Sequence, residues 1–314
     1  MKLIITVDTE ADNQWATGTP ITMENIQVLP KFQELCQKYA FIPTYLLTYE
    51  VSDDPSAVVM FSKWQNEGRA EIGAHLHPWT NPPIFEYEKE QHLYPSSLSD
   101  ADFKSKLVAL TDKIEKNFGK RPTSYRAGRW GFKESHADIL RQLGYKVDCS
   151  ISPKINWAER KDKLSNFRGP DFRAYSPQPF YFSNGLLEVP VTILYTGIFH
   201  KEKNRLVEWF TMLPESFPKK VLQKIFFNKK WLRIFPKDKE SNWINIYKSA
   251  LKNNLPVLEF IIHSSELVAG ESQYVKDQKT VDFVYNQLEE MFKYFKRQGL
   301  VGTTLSDFAG NFSL

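Results

Sequence analysis

The sequence predicts an α/β protein built on a parallel sheet or barrel. Short apolar segments typical of buried strands alternate with longer segments whose apolar residues recur at helical spacing. The first eighty residues give strand, helix, strand, helix, strand, the order expected when a crossover helix joins each parallel strand to the next. Charged and imidazole side chains follow several of these strands at the point where each strand ends.

The individual elements follow from the same spacing. A strand at residues 3–7 precedes a helix at 24–40, whose apolar residues keep helical spacing in spite of Pro30. Later strands are predicted at 41–47, up to His75, up to Arg126, and at 146–148, 185–191, 257–262 and 301–305, and later helices at 56–67, 97–118, 134–143 and 281–297. Because residues 195–247 depart from the alternation, we predict one domain over 1–314 with an insertion at about 195–247.

The composition is that of a globular protein. Apolar residues make up 42% of the chain and charged residues 25%, and the net charge of +4 gives no reason to expect a nucleic-acid partner. Cys36 and Cys149 do not stand in a metal-binding spacing, which favours a reducing compartment. We recognise neither a signal peptide nor an apolar segment of membrane-spanning length, so the predicted location is cytoplasmic.

Two short motifs suggest a metal site. Asp8 and Glu10 follow the first strand, and His75 and His77 end the third. Side chains two residues apart on an extended chain point to the same side, so both pairs can face one cavity. Two imidazoles with one carboxylate, from Asp8, Glu10 or Asp12, would supply three protein ligands and leave a position for water. Taken alone, a His-x-His pair is weak evidence for a metal site, because paired histidines often have structural or surface roles.

Arg126 and His263 stand at two further strand ends. Arg126 begins the segment Arg-Ala-Gly-Arg-Trp-Gly at 126–131, whose glycines permit a tight turn and whose arginine could orient a carboxylate. His263 follows a strand that is apolar except for Glu259. Because ligands bind at the carboxyl ends of parallel strands, both are candidate site residues. The alternatives are a surface ion pair for Arg126 and a structural histidine for His263.

In this order the motifs resemble those of the polysaccharide deacetylase family, the NodB homology domain of carbohydrate esterase family 4. The similar segments are Thr6-Val7-Asp8, Glu71-Ile72-Gly73-Ala74-His75, 126–131, Asp148-Cys149-Ser150-Ile151 and 258–263, with 303–308 closing the chain. The resemblance implies a distorted (β/α) barrel of about seven parallel strands. It also implies a metal-dependent hydrolase that removes the N-acetyl group from a sugar.

The resemblance implies roles for individual residues. Asp8 would be the general base, Arg126 would orient it, and His263 would be the general acid. The predicted substrate-binding residues are Trp79, Arg129, Trp130 and Asp148.

The implied metal ligands are Glu10, His75 and His77. Where the family has its metal-binding aspartate this chain has Thr9, and the usual His-x-x-x-His is shortened to His75-x-His77. By similarity to members with an Asp-x-Asp form, Glu10 is implied as the carboxylate ligand, with Asp12 as the alternative. The implied cofactor is a divalent metal, most simply zinc, with cobalt or nickel as alternatives.

The segment 219–233 suggests a membrane partner. It interleaves five lysines and one arginine with apolar and aromatic residues, the composition of a basic amphipathic helix at a membrane surface. Such a protein could act at the inner membrane face on a lipid-linked sugar precursor, as in lipopolysaccharide, capsule or O-antigen assembly. The alternatives are a helical insertion packed on the barrel or a dimer contact.

Two other functions also fit the sequence. One is a different C–N hydrolase on the same fold that acts on a small amide or ureide. The other is a non-catalytic glycan-binding or assembly protein that has lost full metal ligation. The aromatic residues around Trp79, Tyr87 and Trp130 favour an N-acetylated glycan.

Overall fold

A computed structural model describes residues 1–14, 20–86, 93–159, 168–202 and 204–313, so Tyr87 lies outside the described residues. The strands are β1 (Lys2–Thr9), β2 (Pro43–Leu47), β3 (Glu71–Leu76), β4 (Ser124–Ala127), β5 (Val147–Asp148), β6 (Phe180–Tyr181), β7 (Leu187–Glu188), β8 (Ile193–Tyr195), β9 (Lys229–Trp231), β10 (Val257–His263) and β11 (Val301–Gly302). The helices are α1 (Glu24–Gln27), α2 (Leu29–Lys38), α3 (Tyr49–Asp53), α4 (Pro55–Asn66), α5 (Asp100–Phe118), α6 (Ser135–Gln142), α7 (Arg205–Met212), α8 (Phe217–Leu222), α9 (Ser241–Lys252), α10 (Gln278–Arg297) and α11 (Leu305–Asn311).

One mostly parallel sheet organises the chain. Its strand order is β10-β1-β2-β3-β4-β5-β7-β6, and β11 pairs with the start of β1. The seven strands from β10 to β7 run parallel to one another, and β6 is antiparallel to β7. The sheet curls into a half-barrel, which confirms the predicted α/β class.

The register of this sheet brings distant residues together. Apart from Lys2, every residue of β1 is buried, as expected for a central parallel strand covered on both faces. Asp8 at the end of β1 lies beside His263 of β10, and His75 of β3 lies beside Arg126 of β4. Polar residues from both ends of the sequence therefore meet at the carboxyl-terminal edge of the sheet.

The predicted helix at 24–40 is two helices. α1 ends at Gln27 and α2 begins at Leu29, with Pro30 in its first turn. Proline fits the first turn because the amide hydrogen that it lacks has no partner inside the helix there. Pro30 therefore marks a helix start within the predicted segment.

The segment predicted as an insertion, and called the insertion below, contains a small unit with its own core. β8 and β9 pair in a separate antiparallel sheet. The helices α7 and α8 lie between them in sequence, and the buried core comprises Tyr195, Val207, Phe210 and Phe227. The rings of Phe210 and Phe227 stack with centroids 3.7 Å apart.

The prediction of a single amphipathic helix at 219–233 is wrong. After α8 the chain makes a π-helical turn over Gln223–Phe227, Asn228 adopts a left-handed conformation with φ 48°, and β9 follows. The helix stops because Phe227 is buried in the small core and the next residues pair with β8. None of the helices in the described ranges is long and apolar enough to cross a bilayer. Membrane contact and a cytoplasmic location stay predictions.

Candidate metal centre and its cavity

Three donor atoms converge at the sheet edge. Glu10 Oε1 lies 3.0 Å from Nε2 of His75 and 2.9 Å from Nε2 of His77, and the two imidazole nitrogens are 3.1 Å apart. All three side chains are buried. With bonds of about 2.0–2.1 Å to a tetrahedral metal, two ligand atoms would be about 3.4 Å apart, which is close to these separations. Glu10, His75 and His77 could therefore hold a metal ion.

The hydrogen bond on the far side of His75 fixes its tautomer. His75 Nδ1 lies 3.0 Å from the main-chain oxygen of Arg126, which can only accept, so Nδ1 carries the proton of the neutral ring. His75 Nε2 then presents a lone pair to the Glu10 carboxylate. A cation between the donor atoms would relieve this repulsion, and a ligand imidazole that donates its other N–H to a carbonyl is common in metal sites. The donor set therefore fits a divalent metal.

Electrostatics keeps two of these groups in their metal-binding forms. Burial raises the pKa of Glu10, but interaction with His77 above all, and with His75, outweighs burial and holds that pKa well below its usual range. Burial lowers the pKa of His77 to about 4. At neutral pH Glu10 is thus a carboxylate and His77 a neutral imidazole, the forms that bind metals.

Gly128 and Trp79 enclose the ring of His77. A Cβ atom on Gly128 would lie 2.8 Å from His77 Nδ1 and 2.5 Å from the main-chain oxygen of Leu76, so only glycine leaves room for the imidazole. On another side, the Trp79 ring contacts His77 with centroids 4.5 Å apart, and its Nε1 donates to the main-chain oxygen of Gln14. Trp79 therefore supports a candidate ligand.

Asp12 lies outside the donor set. Its Oδ2 accepts the backbone N–H of Asn25 at 3.0 Å and lies 3.3 Å from the Thr22 hydroxyl. These contacts hold the start of α1. Of the two carboxylates that the sequence leaves open, the structure brings Glu10 to the histidines.

Arg126 holds Asp8 from beneath the cavity. Arg126 is fully buried; its Nη1 donates to Asp8 Oδ1 at 2.6 Å and its Nη2 to Glu259. Burial raises the pKa of Asp8, but the guanidinium outweighs it, so the net shift is downward and Asp8 is ionised at neutral pH. Arg126 thus binds two buried carboxylates, those of Asp8 and Glu259. Glu259 is the residue that interrupts the otherwise apolar segment 257–262.

His263 faces Asp8 and is bound from behind by Arg233. Its Nε2 lies 3.6 Å from Asp8 Oδ2, and its Nδ1 lies 3.0 Å from Nη2 of Arg233. A guanidinium can only donate, so Nδ1 accepts and Nε2 carries the proton of the neutral ring. Arg233 also pairs with Glu266 at 2.6 Å, and its charge outweighs burial to lower the pKa of Glu266 to about 2.

The cavity above these groups has a volume of about 720 Å³. Asp8, Glu10, His75 and His263 line it together with the following residues: Tyr94, Arg129, Trp130, Trp157, Trp231, Arg233, Phe235, Glu266, Glu271 and Tyr274. Trp130 stacks on Trp157 with centroids 6.1 Å apart and contacts Trp231 at 5.4 Å. Arg129 and Trp130 both have left-handed backbones, with φ of 56° and 61°. Such strained conformations are frequent at functional sites.

Two predicted substrate-binding residues do not line this cavity. Asp148 is fully buried beside Glu188, accepts the Ser150 hydroxyl at 2.6 Å, and has a pKa that burial raises. Trp79 packs on His77. Asp148 is the last residue of β5 and is enclosed in the interior, whereas Trp79 follows β3, is partly buried and contacts His77 and Gln14.

Sequence reasoning also missed several lining residues. Trp231 and Arg233 come from the insertion. The mixture of basic and aromatic residues there is as typical of a helix at a membrane surface as of a cavity wall, so the sequence does not identify them. Trp157, Tyr94 and Glu266 belong to no motif that periodicity could identify.

No protein-family model matches this sequence, and no curated protein is similar to it. A GH57 branching enzyme from the hyperthermophilic archaeon Thermococcus kodakaraensis overlays with a TM-score of 0.57 at 10% identity, over 100% of this chain and 71% of that chain. Puue allantoinase overlays with a TM-score of 0.50 at 12% identity, over 98% of this chain and 88% of that one. A putative polysaccharide deacetylase from Mycobacterium smegmatis gives a TM-score of 0.49 at 12% identity, with coverages of 97% and 94%. At such low identity the likeness shows the α/β fold alone.

Proposed function

We propose that this protein is a metal-dependent hydrolase that removes the acetyl group from an N-acetylated sugar. The observation that carries the proposal is the convergence of Glu10, His75 and His77 beside Asp8 and His263 at one wall of the cavity. A cation site flanked by one ionised carboxylate and one imidazole N–H has the groups that amide hydrolysis requires.

Glu10, His75 and His77 would hold the metal. One carboxylate and two imidazoles leave coordination positions open, and this donor set suits zinc, cobalt or nickel. A bound divalent cation would polarise the amide carbonyl and lower the pKa of a water molecule. His75 is kept in the ligating tautomer by its bond to the Arg126 carbonyl.

Asp8 would accept the proton of the attacking water. Arg126 fixes its Oδ1, which leaves Oδ2 on the side of His263. The same guanidinium keeps Asp8 ionised at neutral pH, the form that a base requires.

His263 would donate a proton to the departing amine. With Nδ1 bonded to Arg233, the ring has its proton at Nε2, on the side of Asp8 and the cavity. The proton that Asp8 takes from the water would replace the one that His263 gives to the amine, so the ring would end the reaction neutral. Cleavage of the C–N bond needs such a donor because an amine anion is a poor leaving group.

The aromatic walls support a sugar as the substrate. Trp130, Trp157 and Trp231 stand together at the cavity, and Tyr94 adds a fourth aromatic ring. Flat apolar rings with a few polar groups between them suit the apolar faces of pyranose rings.

The test combines metal analysis with acetate release by the full chain on N-acetylated sugars. We expect stoichiometric metal in wild type and loss of metal in His75→Ala. In Asp8→Asn we expect the metal to be retained and acetate release to be slower by about 10²- to 10⁴-fold. Asp12→Asn is the matched control, and it should keep both metal and activity.

Three outcomes would overturn the proposal. Metal-free wild type that binds glycan would indicate a non-catalytic glycan-binding protein. Hydrolysis of small amides or ureides without reaction on sugars would indicate a different C–N hydrolase. Full activity in Asp8→Asn would exclude Asp8 as the base.

A further inference from the structure

The insertion exposes an unusual concentration of apolar side chains. Of the fourteen large exposed apolar side chains in the described part of the chain, eight fall between residues 198 and 225. We call this surface the insertion face; its main members are Ile198, Leu206, Trp209, Met212, Phe217 and Ile225. Phe217 is 80% exposed and Trp209 is 61% exposed, although large aromatic side chains are normally buried.

Helix α7 has apolar residues on two of its sides, and only one of these sides packs against the rest of the described chain. Val207 and Phe210 are buried in the small core of the insertion. Leu206, Trp209 and Met212 recur every three residues, so they share the opposite side, and all three are exposed. Apolar residues thus stand on both the inner and the outer side of α7, beside the exposed Arg205 and Glu208, and the outer side lacks a covering surface in the described chain.

The insertion face stands on packed structure. Phe199 N donates to the main-chain oxygen of Phe226, which sets the chain around Ile198 against the π-helical turn that holds Ile225. The buried ammonium of Lys219 donates to the main-chain oxygen of Leu213 and so ties α8 to the end of α7. These contacts hold the apolar side chains in place around one small core.

The charge of the insertion indicates what covers this face. From residue 198 to residue 230 the sequence has eight lysines and arginines against three glutamates, a net charge of +5, whereas the whole chain has only +4. Lys201, Arg205, Lys220 and Lys224 are exposed. A partner for an apolar face with exposed cations must itself combine apolar and anionic groups, as an anionic bilayer surface does.

A second copy of this chain is a poor partner for the same face. A two-fold dimer places one patch against its own copy, so it would bring two strongly basic segments together. We propose that the insertion face docks on the surface of an anionic lipid bilayer, with Trp209 and Phe217 entering the interface and Lys220 and Lys224 binding lipid phosphates.

The docked face would lie close to the cavity. Trp231, which lines the cavity, is six residues after Ile225, so the chain between them spans at most about 22 Å. Docking would therefore bring the Trp231 wall of the cavity to within about 22 Å of Ile225 on the docked face. The docking itself does not depend on the proposed hydrolase activity, because its test measures binding alone.

The first experiment is sedimentation of the full chain with vesicles of phosphatidylcholine, alone or mixed with phosphatidylglycerol. We expect binding to the mixed vesicles. The double variant Lys220→Gln/Lys224→Gln should partition about twenty-five-fold more weakly, since each surface cation contributes about fivefold. The matched control is Lys116→Gln/Lys120→Gln, which removes the same charge from exposed positions at the end of α5. No binding by wild type, or equal loss in the control, would overturn the proposal.

The second experiment locates the contact. Cys36 and Cys149 are buried, and burial raises the pKa of both thiols, so a new exposed cysteine can be labelled selectively. A polarity-sensitive dye on Phe217→Cys should shift to the blue on mixed vesicles, whereas the same dye on Val59→Cys, a 72% exposed position on α4, should not. Equal shifts at the two positions would overturn the proposal. It would also be overturned if wild type formed a dimer and bound no vesicles, and if the Phe217→Cys substitution dissociated that dimer.

Discussion

The candidate metal centre can be tested without removing any ligand, by substituting Gly128→Ala. A Cβ atom at this position would lie 2.8 Å from His77 Nδ1, and ordinary contact begins at 3.4 Å, so the imidazole must retreat by about 0.6 Å. Metal–ligand distances tolerate only about 0.2 Å. We therefore expect the zinc affinity of the variant to fall about 10- to 100-fold, as it does when the support of a ligand is lost.

The assay is competition for zinc between the purified full chain and a chromophoric chelator. Gly310→Ala is the matched control, because a Cβ atom there meets nothing within 4 Å. Circular dichroism and thermal melting of the metal-free proteins separate a displaced ligand from a failure to fold. If folded Gly128→Ala held zinc as tightly as wild type, His77 would not be a ligand and the three-residue donor set would be refuted.

Two further predictions concern stability, measured by urea denaturation. His136 stacks on Phe103, and burial lowers the pKa of His136 to about 3. Below the ordinary histidine pKa of about 6.5, the unfolded chain therefore binds a proton that the folded chain does not. The free energy of unfolding consequently decreases as the pH is lowered. His136→Phe should therefore recover about 2 kcal/mol of the unfolding free energy lost between about pH 7 and about pH 5, and an unchanged pH slope would contradict this. Arg126→Met leaves the carboxylates of Asp8 and Glu259 buried without their cation, so we expect a loss of about 3–5 kcal/mol; a loss below about 1 kcal/mol would contradict the buried pairing.

The sequence predicted the strand ends well because parallel strands leave a clear pattern. Alternation of strands with amphipathic helices predicts the sheet, and the rule that residues two apart share a side brings Asp8 and Glu10 to one cavity. The same rule fails at Asp12 because β1 ends at Thr9, after which the chain turns towards α1. A carboxylate only two residues further on therefore has a structural role.

The insertion could not be predicted in the same way. Its elements are short, and β9 exists because it pairs with β8, more than thirty residues earlier in the sequence. Arg233 reaches His263 only through this pairing and the fold of the surrounding chain. Helical spacing in 219–233 describes local preference, whereas the burial of Phe227 and the strand pairing decide the structure.

Arg126 contributes to the site through two chemically independent groups. Its guanidinium binds Asp8, while its main-chain oxygen accepts the hydrogen bond of His75. Every amino acid at position 126 would keep a carbonyl group, so a side-chain substitution that leaves the fold intact changes the environment of Asp8 and preserves the acceptor for His75. The two groups of Arg126 therefore separate the proposed base from the proposed metal ligand: one sets the charge environment of Asp8 and the other sets the tautomer of His75.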